Sequence, residues 1–144
     1  MYRFEESAVA ILPEVVAGNR TGEADPIYTL DLDEAAGIIR AVVHGFWTLA
    51  EADAYIADLS LLVARVRARS PRVKVLIDRR FAPIQSTEVA ERLGAANSLF
   101  QPGDSFAFVV DSYLAKAQLR RLFVLDYSKA FMSLDAAETW LGAV

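Results

Sequence analysis

Residues 72–87, RVKVLIDRRFAPIQST, join an apolar run, an acid at its end, a proline-containing loop and a hydroxyl pair that opens a helix. Val73, Val75, Leu76 and Ile77 are mostly β-branched and uninterrupted by polar residues, which is the composition of a central strand buried on both faces of a parallel sheet. Asp78 is expected to end that strand. Arg79 through Gln85 are read as a loop, because Pro83 lacks the amide proton a ladder needs. Ser86, Thr87 and Glu88 then supply the cap and first turn of a helix. In sheets of this kind ligands and partners are met at the carboxyl ends of the strands.

Working upstream, Ile38–His44 reads as a strand, and Ile27–Leu32 alternates as a half-exposed strand does. The short turn at Asp33–Gly37 makes the two an antiparallel hairpin. Between the hairpin and the central strand, Thr48 and Glu51 have the spacing of a capping box. Ala52, Tyr55, Ile56, Leu59, Leu62, Val63 and Val66 recur at three and four, one stripe of a long amphipathic helix that Ser70 and Pro71 stop. A helix of that length between two strands is a crossover, so the strand at Val73 should run parallel to the one at Ile38.

Downstream, Val89, Leu93, Ala96 and Phe100 mark a helix, and Phe106–Val110 a second buried strand. Asp111 or Ser112 caps the helix carrying Ala115, Leu119, Leu122 and Phe123. Lys129–Met132 is a short strand, and Ser133 opens the last helix, Asp135–Leu141, with Trp140 and Leu141 packing back. The order is one strand and then four βα units, an α/β fold with a mixed, mostly parallel sheet. Residues 1–26 are set apart as an N-terminal extension, in which Ala8–Ala17 reads as a short strand or helix broken at Pro13; the domain proper is 27–144.

Composition bounds the function. A chain of 144 residues makes one domain, able to bury about 68 to 70% of the surface its unfolded form exposes. It has no cysteine, hence no disulfide and no thiolate metal site. Glu5, Glu6, Pro13 and Glu14 spoil the opening as a signal peptide, no run is long enough to span a membrane, and a cytoplasmic location is expected. The net charge of −4 offers no general field for polyanions, so nucleic acid is not an expected partner. The local run Arg65, Arg67, Arg69, Arg72 and Lys74 has a structural use at the negative end of a helix dipole. A hydrophobic fraction of 54% is high for one small domain, and surplus apolar surface is met by a partner subunit or a ligand, a homodimer among them.

The hairpin, the strand VKVLIDRR, the loop to a Ser/Thr-opened helix, the strand FAFVVDS and the closing SKAFMSLDAAETWL together resemble the STAS superfold, and within it the SpoIIAA-like bacterial proteins, over about residues 27–142. The resemblance implies parallel strands side by side in chain order with the first strand antiparallel at one edge. The SpoIIAA-like branch implies the fold without a settled function, whereas in the classical anti-sigma antagonists of the superfold a hydroxyl at the start of the helix after the central strand is phosphorylated to switch a protein partner. Where that class carries Asp-Ser-Ser-Gly, this chain has Gln85, Ser86, Thr87 and Glu88: the hydroxyls are kept, the Asp and Gly are not.

In such a topology every βα junction lies on one rim. That rim gathers Phe46, Trp47, Asp78, Arg79, Arg80, Phe81, Ile84 and Tyr113 as a candidate partner or ligand surface, with His44, Thr48, Asp111, Ser112 and Ser133 nearby. Ser86 and Thr87 are a candidate phosphoacceptor or anion site beside Arg79 and Arg80. Each has a plainer use: the aromatics as lids on the core, Ser86 and Thr87 as helix caps, Arg79 in an ion pair, the single His44 as a structural residue. No catalytic residue, metal or cofactor is assigned. No G-x-S-x-G elbow and no glycine-rich phosphate loop is present. Three readings stay open: a non-catalytic domain binding an unknown protein partner through this rim, a carrier or sensor of a small anionic amphiphile at the same place, and a metal-assisted phosphotransfer or hydrolytic enzyme using Asp78, Asp111 and His44.

Overall fold

A computed structural model describes residues 15–18, 26–122 and 128–144. Six strands lie in one sheet in chain order: β1 (Val15–Gly18), β2 (Tyr28–Asp33), β3 (Ile38–His44), β4 (Lys74–Phe81), β5 (Ser105–Val109) and β6 (Ser128–Phe131). β1, β2 and β3 pair antiparallel, and β3 to β6 run parallel. The crossovers are α1 (Leu49–Arg67), α2 (Thr87–Gly94) with a 3₁₀ turn at Ala95–Leu99, and α3 (Tyr113–Leu122); α4 (Leu134–Ala143) follows β6. The expected hairpin and four βα units are all present, in the expected order.

The alternation of strand side chains sorts the layers. Ile39, Ala41 and Val43 of β3 and Val75 and Ile77 of β4 face α1, α2 and α3, and with Leu59, Leu62, Phe106 and Phe108 they form the larger core. Ile38, Leu76, Ala107 and Val109 point the other way and pack under Ala137 and Leu141 of α4. Both faces of β4 and β5 are therefore covered along Val75–Ile77 and Phe106–Val109, which is why those stretches are continuously apolar. The Thr48 capping box forms: its hydroxyl accepts from the Glu51 amide at 3.2 Å and the Glu51 carboxylate accepts from the Thr48 amide at 2.9 Å. Ser112, not Asp111, caps α3, accepting from the Ala115 amide at 3.1 Å. Leu122's side chain and Phe123 lie outside what is described.

Two features depart from the expected pattern. β1 falls within the N-terminal extension and adds a strand at the sheet edge; the rest of the Ala8–Ala17 reading lies outside the described residues. Its last residue, Gly18, faces Tyr28, and a Cβ there would sit 2.0 Å from the Tyr28 ring, so only glycine lets β1 cross that buried aromatic. The other departure is β4, which does not stop at Asp78 but runs on to Phe81. Asp78 is buried inside the strand because Arg80, two residues on and therefore on the same face, takes up its carboxylate. The chain leaves the sheet only where Pro83 approaches.

At the amino ends of the parallel strands, Asp104 is held by four donors. Arg67 approaches it at 2.8 and 2.9 Å, and the amides of Val73 and Gln101 donate to it at 2.9 Å each. Burial raises the Asp104 carboxyl pKa, but these partners outweigh it and hold the group below the usual 3.8. Of the basic run, Arg67 is fixed here, Arg65 and Arg69 pair with Glu34, and Lys74 donates to the carbonyl of Leu141 at 2.8 Å. Arg65 and Arg67 do lie in the last turn of α1, but the contacts of these cations are with particular acids and with the end of α4.

Candidate functional site

At the opposite, carboxyl edge the loops after β3, β4 and β5 do converge. The Gly45 amide donates to the Phe81 carbonyl at 3.3 Å, and one cleft is lined jointly by Arg80, Phe81, Ile84, Asp111 and Ser112. The joint between the first two loops is Gln85. Buried at the end of the β4–α2 loop, its side-chain oxygen accepts from the Trp47 amide at 2.8 Å and its nitrogen donates to the carbonyls of Gly45 at 2.9 Å and Pro83 at 3.3 Å. Nothing in the sequence assigns Gln85 this role. Its only signal was an amide where the resembled signature has Asp.

The rim residues divide by exposure. Phe46 is 57% exposed, Phe81 55% and Tyr113 80%, with Leu114 beside it at 68%. Phe81 stacks on the exposed His44 ring, centroids 5.3 Å apart and planes 13° from parallel, and the Arg80 guanidinium lies 5.4 Å from the centre of the Phe81 ring. Ile84 is half-buried against the same loop. Trp47 does not belong to this surface. It is in the core against Tyr28 and Tyr55, and its indole nitrogen donates to the His44 carbonyl at 2.8 Å. The residue following it, Thr48, is the exposed helix cap, so the chain turns inward at Trp47.

The arginines separate as well. Arg80 holds Asp78 in a two-point pair, 3.0 Å from Nε and 2.8 Å from a terminal nitrogen, with the Arg80 amide adding a third bond at 3.1 Å. Burial pushes the Asp78 carboxyl pKa up, and these bonds reverse that to a net lowering. Arg79, one residue earlier, points to the other face of the sheet, in line with Val75 and Ile77. Ser86 and Thr87 stay exposed at the start of α2, where the Ser86 hydroxyl accepts from the Val89 amide at 3.3 Å. The two arginines expected beside them as a pair thus diverge, Arg80 into its bond with Asp78 and Arg79 into the interior.

Beneath the rim, Arg79 enters a cavity lined by Trp47, Tyr55, Ile77, Phe106, Phe108 and Gln118 among others, with about 40 Å³ open to the centre of a water molecule. Arg79 forms no hydrogen bond or ion pair among the described residues, and the Tyr55 hydroxyl is buried without a hydrogen-bond partner. Burial lowers the Arg79 pKa and raises that of Tyr55, which keeps Tyr55 protonated and a donor.

For metal-assisted chemistry the donors are poorly placed. Asp78 has both oxygens on Arg80, Asp111 is exposed, and among the described residues no three His, Asp or Glu side chains group as a metal site. No helix among those residues is long and apolar enough to cross a membrane.

No protein-family model and no curated protein matches this sequence. Solved structures do. An anti-sigma factor antagonist from Mycobacterium paratuberculosis superposes with a TM-score of 0.59 at 17% identity, covering 79% of this chain and 93% of that one. An uncharacterized protein of the DUF3478 family with a SpoIIAA-like fold, from Shewanella loihica PV-4, superposes with a TM-score of 0.58 at 16% identity, covering 88% and 93%. The chain has the STAS/SpoIIAA-like fold.

Proposed function

We propose that this protein is a non-catalytic regulatory or interaction domain that engages a protein partner through the carboxyl rim around Phe81. One observation carries the reading: Phe46, Phe81, Tyr113 and Leu114 are all more than half exposed on a single rim, where loops from three βα units meet. Large apolar side chains gathered in one place mark contact surfaces, whereas scattered ones do not. That one structural neighbour is an anti-sigma factor antagonist supports a protein as the partner.

Ser86 and Thr87 give the rim a means of control. Both are exposed at a helix N-terminus, where a phosphate is favoured by the dipole and by free amides, and where it would add about −1.5 to −2 charges to the edge of the apolar surface. Thr87, whose neighbour Ser86 supplies the cap, can take that group without dismantling the helix start.

The test is site-specific photocrosslinking in the cells that express the protein, with benzoyl-phenylalanine at position 81 and, as control, at position 61, an equally exposed apolar site on α1. The rim position should trap one discrete protein, or a second copy of this chain if the surface pairs with itself, and Thr87→Glu should weaken the product. Identical patterns from positions 81 and 61 would contradict the reading.

A further inference from the structure

The cavity under the rim is separate from the partner surface, and its chemistry points to a different occupant. Along β4 the residues facing α1 are Val75, Ile77 and then Arg79. A cation has replaced the next member of an apolar row. Guanidinium groups tolerate such places when a carboxylate meets them, as Asp104 meets Arg67; Arg79 has no such partner among the described residues. Facing the same space is the Tyr55 hydroxyl, a buried donor that donates to nothing. Two donors without acceptors among the described residues share a pocket whose remaining walls are mainly apolar, including Ile77, Phe106 and Phe108. Buried polar groups are otherwise almost always matched.

We infer that this cavity binds a small apolar monocarboxylate, its carboxylate held by Arg79 and Tyr55 and its hydrocarbon part by Ile77, Phe106 and Phe108. The open space is small, about 40 Å³ open to the centre of a water molecule, which fits a short or branched acid rather than a long acyl chain. Arg79 supplies charge and a forked donor geometry matched to a carboxylate. Tyr55 supplies a neutral donor, and an anion beside Arg79 would offset the burial that lowers its pKa.

Isothermal titration calorimetry on the full chain tests this with acetate, butyrate, isovalerate, hexanoate, benzoate and the uncharged isovaleramide. At least one of the acids should bind saturably and the amide should not. Arg79→Leu should weaken that acid at least about tenfold and Tyr55→Phe about threefold to tenfold. Tyr55→Phe removes a single oxygen, so it keeps the test open should Arg79→Leu fold poorly. Phe81→Ala, outside the cavity, should leave acid binding unchanged, so failure here is distinct from failure at the rim. The inference is overturned if no acid binds the unmodified chain below about 10 mM, if the amide binds as well as its acid, or if both cavity variants bind as the unmodified chain does.

Discussion

The two ends of the parallel sheet handle a half-buried arginine in opposite ways. At the amino edge Arg67 reaches Asp104 with two bonds and the Leu99 carbonyl with a third, while two backbone amides complete the carboxylate. At the carboxyl edge Arg79 lines a cavity with the orphaned Tyr55 hydroxyl and has no bond among the described residues. The first arrangement ties the end of α1 to the start of β4 and the loop before β5, and is complete in itself. The second is incomplete among the described residues: the Tyr55 hydroxyl is buried without a partner, and buried polar groups are otherwise almost always matched. The same edge leaves its aromatics in water, whereas those of the core are covered.

The largest effect expected from this contrast belongs to the amino edge. Asp104→Ala strands the Arg67 guanidinium and two amides, and should cost about 3 kcal/mol of unfolding free energy, read by urea denaturation. Because the folded carboxyl pKa lies below the usual 3.8, its contribution is present above that value and is lost as the pH falls through the folded pKa. Stability of the unmodified chain should therefore drop below about pH 4 more steeply than that of Asp104→Asn. An equal acid dependence in the two chains would show that Asp104 is not the group responsible.

Next is Gln85→Ala, which leaves the Trp47 amide and the Gly45 carbonyl without their partner. A loss of about 1–3 kcal/mol is expected, accompanied by faster amide exchange at Trp47; unchanged exchange would mean that the two loops are held by other contacts. Smaller again is Ser86→Ala, expected to cost about 1 kcal/mol through the lost cap of α2. Ser86→Asp should restore most of it, and failure to do so would place the Ser86 effect elsewhere than the cap.

Much of this architecture is legible in the chain, and the parts that are not have identifiable causes. β3 occupies Ile38–His44 as read, since a hairpin turn on one side and Gly45 on the other bound it. The Thr48–Glu51 box and the stripe from Ala52 to Val66 are local signals, and local signals survive folding. The end of β4 lies beyond Asp78 because a charge need not end a strand: Asp78 and Arg80 neutralise one another on one face, a period-two pairing visible once the strand is extended. The place of Trp47 and Arg79 in the chain puts both on the rim. Their direction depends on tertiary packing: Trp47 turns under the loop that Gln85 clamps, and Arg79 follows the parity of Val75 and Ile77. That parity was available in the sequence. The orphaned state of the Tyr55 hydroxyl was not, since a tyrosine in an amphipathic stripe reads the same whether or not its oxygen finds a partner.

The contrast between the edges reduces to one paired measurement, the unfolding free energies of Arg67→Leu and Arg79→Leu in the same buffer without added carboxylate. Arg67→Leu should lose about 3 kcal/mol, because Asp104 is left buried and charged, while Arg79→Leu should be unchanged or more stable, because a half-buried cation with no ion pair among the described residues is replaced by a side chain that suits the cavity walls. A loss at Arg79→Leu as large as that at Arg67→Leu would mean that Arg79 is already matched within the fold, and would contradict the contrast.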